Sequence, residues 1–274
     1  MTRVLVTNDD GVSSPGILAL AEMARAEGHD VVVAAPHEEA SGMSAALTAV
    51  VADGRIVVER RELGDFPAYA VAASPAYISV LGGLGVFGPP PQVVLSGINR
   101  GANAGHAVLH SGTVGAALTA ANNGARALAV SLDVLNPVAG GADSGGARIV
   151  VPDDSVLHWD TAAEFARTLL GWLVAAPDRT VLNLNVPDRP RADVAGLRQA
   201  SLASFGQATM AVAEAGEGFV RTTVEISGEV IVPGTDLAGL AEGFATVTAI
   251  RPPAEVSGLH IPSQRSGAGP HRPA

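Results

Sequence analysis

Residues 3–35 read RVLVTNDDGVSSPGILALAEMARAEGHDVVVAA, and this stretch decides the fold class. The β-branched run Arg3–Thr7 is typical of a buried strand, and Asp30–Ala35 is a second run of the same kind. Between them, apolar residues recur at roughly helical spacing over Ile17–Glu27, and Gly28 ends the predicted helix. Strand, loop, helix and strand in this order begin a doubly wound, mostly parallel sheet, so we expect an α/β fold.

Strands and helices continue to alternate as far as residue 190. The further predicted strands are short apolar runs next to turn residues: Tyr69–Ala73, Gln92–Ser96, Ala127–Leu132 and Thr180–Asn185. The further predicted helices are Pro75–Leu84, Thr113–Asn123 and Asp160–Ala175, the last with Phe165, Leu169, Trp172 and Leu173 facing inward. Residues 97–112 and 136–146 are predicted to be Gly-rich loops.

The pattern changes after Pro190, where strands follow one another without long helices. We therefore predict a catalytic core over residues 1–190 and a β-rich extension over 191–251 that returns to the core. Its predicted strands are Gly196–Ala203, Phe219–Ser227 and Phe244–Ile250. Residues 252–274 are rich in Pro, Gly, Ser and Arg, and we expect them to form a flexible tail.

Composition excludes several classes of function. The net charge of -10 over 274 residues argues against binding to a nucleic-acid duplex, which needs a concentrated basic face. The chain has no Cys, so disulfides, Cys-ligated zinc and a thiol nucleophile are excluded. The chain begins in a predicted strand without a signal-like apolar run, and the apolar stretch Ala70–Gly88 is interrupted by Ser, Pro and Gly. A cytoplasmic protein that does not contact membranes is expected.

Three polar loops follow predicted strands, and in a doubly wound sheet such loops meet at the carboxyl edge. They are Asn8–Ser14, Pro36–Thr48 and Ser96–Thr113. In the first of them, Asp9 and Asp10 are adjacent acids that repel each other unless a cation or a proton intervenes. Carboxylate, hydroxyl and amide oxygens favour one Mg²⁺ or Mn²⁺ per site. The dipeptide alone is equally compatible with a solvated turn or a helix N-cap.

The third loop ends in Ser111-Gly112-Thr113, directly before a predicted helix. A helix N-terminus flanked by glycine offers free N–H groups to an anion, so this tripeptide is a candidate phosphate cradle. An ordinary helix cap has the same residue types. His106 and His110 lie in the same loop and could polarise the ester or protonate the leaving alkoxide, although loop histidines are also commonly exposed or capping.

Taken together, the three loops resemble one known family. The motifs are VTNDDGVSSPG at residues 6–16, SGMS at 41–44, LSGINRGANAG at 95–105 and SGTVGAA at 111–117. In order and spacing they are similar to the SurE family, the stationary-phase survival proteins that act as 5′/3′-nucleotidases. The resemblance is dense over residues 3–133 and returns at NLNVP, residues 183–187, and at residues 234–248.

The resemblance implies a Rossmann-like body with a β-rich extension, and hydrolysis of phosphomonoesters, typically nucleoside monophosphates. By position, the family's metal ligands fall on Asp9, Asp10, Ser41 and Asn99. The residues that would bind phosphate or substrate are Asn8, Gly42, Ser111, Gly112, Thr113 and His110, the last standing where the family usually has Tyr. A homodimer is expected, whereas residues 252–274 contain no counterpart of the C-terminal helix that supports oligomerisation in the family.

The predicted mechanism uses a cation to activate water and to neutralise charge on a phosphoryl oxygen, with Asp9 or Asp10 accepting the proton. Three alternatives remain open at this stage. A phosphatase of the haloacid dehalogenase type needs Asp-x-Asp after the first strand, and Asn8 stands where its first Asp would be. The chain could also be a nucleotide-binding module without turnover, or a phosphatase for another phosphorylated metabolite.

Overall fold

The structure is a computed structural model, and it describes residues 1–134, 153–206, 208–226, 230–256 and 258. Within these ranges, no helix has the length and apolar character needed to cross a membrane. The helices are α1 Pro15–Ala26, α2 Pro75–Gly83, α3 Gly112–Asn122, α4 Trp159–Ala175 and α5 Asp236–Ala241. The strands are β1 Arg3–Thr7, β2 Asp30–Pro36, β3 Val51–Ala52, β4 Arg55–Ile56, β5 Val58–Leu63, β6 Phe66–Val71, β7 Val93–Arg100, β8 Arg126–Asp133, β9 Val181–Pro187, β10 Leu197–Gln199, β11 Ala208–Gly216, β12 Phe219–Ile226 and β13 Ala245–Ile250.

The main sheet has nine strands in the order β10-β13-β9-β8-β7-β1-β2-β6-β5. Its six inner strands, β9 through β6 in that order, are mutually parallel, which confirms the expected α/β class. The chain first builds outward from β1 through β2 to β6. It then returns to the other side of β1 and builds outward through β7, β8 and β9. Strands β1 and β7 are therefore neighbours at the switch point, where ligands bind in such folds.

Alternating side chains of the buried strands form two apolar layers, one on each face of the sheet. Val4 and Val6 belong to the layer that contains Ile17 of α1 and Phe165 of α4. Leu5 points to the opposite layer, with the apolar residues of α2 and α3. The buried residues of α3 are mostly Ala and Gly, and the N-terminus of this helix contacts Asp9, just after the end of β1.

Two details of the predicted helices and loops differ in the structure. Strand β7 extends through Asn99 to Arg100, and Gly105–His110 form a 3-10 helix, so residues 97–112 are only partly loop. The indole of Trp172 was predicted to face inward but is 57% exposed, because it lies at the border of the buried stripe of α4. The predicted insertion at residues 136–146 lies outside the described residues.

Strands after residue 190 are of two kinds. Strand β10 pairs with β13, and β13 joins the main sheet by antiparallel pairing with β9. Strands β11 and β12 form a separate antiparallel hairpin. The division at residues 190 and 251 stays a prediction. Residues 251–256 are neither helix nor strand, and residues 259–274 of the predicted tail lie outside the described residues.

Candidate active site

The turn after β1 is held by Asn8, whose side chain is fully buried. Its Nδ2 donates to the carbonyl oxygen of Gly11 at 3.0 Å and to Oγ of Ser14 at 2.6 Å. These bonds close the turn that presents Asp9 and Asp10 at the end of the strand. The structure thus gives Asn8 a role in shaping the turn, and Asn8 is not among the residues that line the adjacent cavity.

A cavity of about 380 Å³ lies at the carboxyl edge of the sheet, where β1 and β7 end. All three predicted loops contribute to its wall. The second loop is tied to the third by Oγ of Ser44, which donates to the carbonyl oxygen of Leu109 at 2.6 Å. The second loop bends at Gly42, which has a φ of +73°; residues other than glycine rarely adopt this backbone conformation. The predicted site residues in the wall are Asp9, Asp10, Ser41, Gly42, Asn99, His110 and Ser111.

The N-terminus of α3 holds Asp9 in place. The backbone N–H of Thr113 donates to Oδ2 of Asp9 at 3.2 Å, and the Thr113 hydroxyl donates to Oδ1. Ser111 caps the helix by accepting from the backbone N–H of Val114 at 3.0 Å. A Cβ on Gly112 would lie 2.7 Å from Oδ2 of Asp9, so only glycine allows this approach. The predicted phosphate cradle therefore binds a carboxylate of the chain itself through Thr113, while Ser111 faces the cavity.

Gly112→Ala is expected to lower hydrolytic activity by about 10- to 100-fold, because the new methyl group displaces the Asp9 carboxylate. Helix propensity alone would favour alanine at this position, so a stability loss is not the expected cause. The measurement is kcat with saturating metal, together with the metal concentration that gives half-maximal activity. Gly171→Ala, where a Cβ meets nothing within 4 Å, is the matched control. Wild-type values for Gly112→Ala would contradict the assigned contact.

Both adjacent acids have raised pKa values. Burial raises the pKa of Asp9, and the hydrogen bonds from Thr113 oppose this shift. Burial and then the charge of Asp9 raise the pKa of Asp10 to about 7, while the backbone N–H of Arg100, 3.4 Å from Oδ2 of Asp10, opposes the shift. Two buried carboxylates in this position ionise together only when a positive charge compensates them. The pair is therefore suited to a cation.

Two further side chains complete a set of hard oxygen donors. Asn99 donates from Nδ2 to the carbonyl oxygen of Gly101 at 2.6 Å. Its side-chain oxygen is therefore the atom that could coordinate a cation. Ser41 lies across the cavity and donates from Oγ to Oε1 of Glu39 at 2.6 Å. With the two aspartates, the cavity offers carboxylate, amide and hydroxyl oxygens, the donors that Mg²⁺ and Mn²⁺ prefer.

Two charged residues in the cavity wall are absent from the predicted set. Glu39 belongs to the second polar loop, and it faces the cavity. Arg100 also lines the cavity, and its Nε lies 3.3 Å from Oδ1 of Asp154. Among the described residues of this wall, three carboxylates face one guanidinium. The metal-free cavity is thus too negative for a phosphate dianion, and a bound cation would correct the balance.

Asn103 is a third residue of the wall that was not predicted, and a buried amide network fixes it. Its backbone N–H donates to Oδ1 of Asn185 at 2.7 Å, and its carbonyl oxygen accepts from Nδ2 of Asn183 at 2.7 Å. Its own Nδ2 donates to Oγ of Ser131 at 2.9 Å. The NLNVP motif of β9 therefore holds the third loop against the sheet. Two buried asparagines at alternate positions of a strand were the available signal.

The start of the 3-10 helix is anchored by Asp236, which is completely buried. Its Oδ2 accepts from the backbone N–H of Gly105 at 2.8 Å, and its Oδ1 accepts from that of Ala203 at 2.9 Å. The anchored segment carries both candidate histidines of the third loop. Both histidines are exposed, but His110 lies in the cavity wall and His106 does not. Asp236 belongs to the second part of the resemblance, at residues 234–248.

Asp236→Asn is expected to destabilise the protein by about 1–3 kcal/mol, because one carboxylate oxygen becomes an NH2 group that cannot accept from the buried N–H donor it faces. We also expect kcat to fall, since the segment that carries His110 loses its anchor. Thermal unfolding and steady-state kinetics measure the two effects. Glu242→Gln is the control, because that carboxylate pairs with Arg198 on the surface. A variant with wild-type stability would refute the anchoring role.

Comparison with known proteins agrees with this geometry. A family profile described as "Survival protein SurE" matches residues 4–209. The chain is 40% identical over 196 residues to the 5'-nucleotidase SurE of Xanthomonas campestris pv. campestris (strain B100), covering 71% of this chain and 67% of the relative. It is 38% identical over 200 residues to the 5'/3'-nucleotidase SurE of Photorhabdus laumondii subsp. laumondii, covering 72% and 68%. The crystal structure of the SurE protein from Aquifex aeolicus superimposes with a TM-score of 0.69 at 25% identity, covering 91% of this chain and 93% of that one.

Proposed function

Because the chain belongs to the SurE survival-protein family, we propose that it is a metal-dependent nucleotidase that hydrolyses nucleoside monophosphates. The observation that carries this proposal is the convergence of Asp9, Asp10, Ser41 and Asn99 on one cavity at the switch point of the sheet. These four residues are the proposed ligands of one Mg²⁺ or Mn²⁺. When bound, the cation supplies positive charge that stabilises the phosphoryl group in the transition state and acidifies water.

The two aspartates are proposed to have different tasks. Both oxygens of Asp9 accept hydrogen bonds from Thr113, so this carboxylate is fixed and remains an acceptor. Within the described residues, Asp10 accepts only the long 3.4 Å hydrogen bond from the backbone N–H of Arg100. Asp10 therefore has more capacity to take a proton from the attacking water, which assigns it the role of general base.

His110 is proposed to assist the departure of the leaving group. This imidazole lies in the cavity wall, beside the Ser111 cap, and it follows the segment that Asp236 anchors. From there it can donate a proton or a hydrogen bond to the departing alkoxide oxygen. Ser111 and Gly42 form the wall next to it and are proposed to contact the phosphate.

The competing functions are less well supported. A haloacid dehalogenase-type mechanism needs a carboxylate nucleophile at position 8, but Asn8 is buried there and its amide closes the turn. A module without turnover is not favoured, because the relatives are named as nucleotidases and the four oxygen donors are intact. A phosphatase for another small metabolite differs only in the alcohol part of its substrate, and kinetics can separate the two.

The test is phosphate release from a panel of nucleoside 5′- and 3′-monophosphates and of sugar phosphates by metal-stripped protein. We expect no release with a chelator, release on adding Mn²⁺ or Mg²⁺, and the highest kcat/KM for nucleotides. A sugar phosphate with the highest kcat/KM would favour the metabolite phosphatase, and no release with any metal would refute the proposal. Light scattering on the same sample tests the homodimer that the family resemblance implies.

A further inference from the structure

A line of buried polar side chains crosses the sheet on the face that α3 covers. Thr7 of β1 pairs with Ser96 of β7, and Ser96 pairs with Ala129 of β8. Ala129 pairs in turn with Asn183 of β9, and Asn183 pairs with Thr248 of β13. Residues that pair directly on neighbouring strands project from the same face, so these five side chains form one line, here called the polar row.

The polar row borders the apolar layer that α2 and α3 form with the sheet. Helix α3 packs on β7, β8 and β9, so the row lies beneath a helix and not at the surface. Thr7, Ser96 and Asn183 are completely buried, and Thr248 is 7% exposed. One line nearer the amino edge of the sheet, the corresponding side chains are all apolar: Leu5, Val94, Ala127, Val181 and Ile250. This face of the sheet therefore changes from apolar to polar inside the protein.

Four oxygens of the polar row have no hydrogen-bond partner among the described residues. They are the hydroxyl oxygens of Thr7, Ser96 and Thr248, and Oδ1 of Asn183. Nδ2 of Asn183 donates to the carbonyl oxygen of Asn103 at 2.7 Å, and this bond fixes the orientation of Oδ1. Buried polar atoms in native proteins nearly always have a partner, either a protein group or an ordered water. Four such atoms in one line therefore indicate a shared partner that lies along the row.

The spacing of the row suits a small bridging molecule. Neighbouring strands lie about 4.8 Å apart, whereas an O–H···O hydrogen bond spans about 2.8 Å. A molecule the size of water can therefore accept from or donate to Thr7 and Ser96 together with two bonds of ordinary length. The same spacing separates Asn183 from Thr248. Between these two pairs stands Ala129, whose small side chain leaves space over two strand spacings, about 10 Å.

We propose that the polar row binds a line of ordered waters between the sheet and α3. Water fits better than a metal ion, because all four oxygens are neutral and a straight row offers any one position only two of them, whereas hard divalent cations take about six. A water donates to Oδ1 of Asn183, which can only accept, and it exchanges bonds in either direction with the hydroxyls. The waters extend from Thr7, two residues before Asp9, to β13, and so join the strand of the proposed metal site to the last strand of the sheet.

The sign of one stability change tests this site. In Thr248→Val the side chain keeps its shape and loses its hydroxyl, so a water at that end of the row loses one hydrogen bond. We expect the melting temperature to fall by about 2–5 °C. A hydroxyl that is buried without any partner predicts the opposite, because its replacement by a methyl group removes a cost and raises the melting temperature. Thr222→Val, at an exposed position of β12, is the matched control for the exchange of Thr by Val in a strand.

A crystal structure of the wild-type protein at high resolution shows the waters directly, whether or not any variant folds. We expect one water between Thr7 and Ser96 and another between Asn183 and Thr248. In solution, magnetic relaxation dispersion of the water oxygen nucleus counts long-lived waters, and Ala129→Val, which fills the middle of the row, is expected to lower that count. Direct bonds between the row's side chains without water, a metal ion in the row, or a higher melting temperature of Thr248→Val would each overturn the proposal.

Discussion

Asp10→Asn is expected to lower kcat for nucleoside monophosphates by roughly 10³-fold or more while making the metal-free protein more stable at pH 8. The amide keeps the shape of the side chain but removes both the proposed proton acceptor and one of the two carboxylates of the proposed metal site. It also removes the repulsion between two adjacent buried acids, one of which has its pKa raised to about 7. Opposite effects on activity and stability follow from one substitution.

Phosphate release under saturating Mn²⁺ and thermal unfolding in chelator measure the two effects. Asp65→Asn is the control, because that carboxylate is 87% exposed and is expected to change neither quantity. Near-wild-type kcat in Asp10→Asn would refute the catalytic role. A lower melting temperature in chelator at pH 8 would refute the electrostatic argument, even if activity were lost.

The metal-free protein is expected to lose stability as the pH rises from about 4 to about 8. The pKa of Asp10 is raised in the folded protein from an ordinary value of 3.8 to about 7. Folding therefore favours protonated Asp10, and this contribution is complete below pH 4 and is lost as the pH passes through 7. The loss in the free energy of unfolding is on the order of a few kcal/mol, and the raised pKa of Asp9 acts in the same direction.

Urea unfolding at a series of pH values, in chelator, gives this profile. Asp10→Asn should flatten it, so the difference between the two proteins isolates Asp10 from all other titrating groups. Added Mn²⁺ should restore stability at pH 8 much more than at pH 5, because the cation binds the ionised acids. A wild-type profile parallel to that of Asp10→Asn would show that Asp10 is not perturbed.

Much of the fold and half of the site could be predicted because they depend on local pattern. The β-branched runs at residues 3–7 and 30–35 become the buried strands β1 and β2. Parallel strands bring their carboxyl ends together, so Asp9, Ser41 and Asn99 could be expected at one edge, although 90 residues separate the first from the last. The structure brings them to the same cavity.

The remaining features depend on contacts between distant segments. The position of Glu39 in the wall of the active-site cavity could not be predicted from the sequence, because it depends on the path of the second loop. Thr113 was expected to donate hydrogen bonds to a phosphate. Its N–H and O–H groups donate instead to Asp9, which lies 104 residues away in the chain. The hairpin of β5 and β6 was missed because β5, with sequence VERREL, is an edge strand with mostly exposed side chains and no apolar alternation.

The placement of the site at the switch point has a consequence for how the protein would acquire the proposed cation. The two acids of the proposed ligand set follow β1, whereas Asn99 lies on β7, which comes later in the chain and pairs with β1 on the side opposite β2. A nascent chain that has made only β1 and β2 holds two adjacent acids without the amide oxygen or the helix terminus that orients Asp9. Tight binding of the proposed cation would therefore require the assembled central sheet, and metal loading would report that this part of the fold has formed.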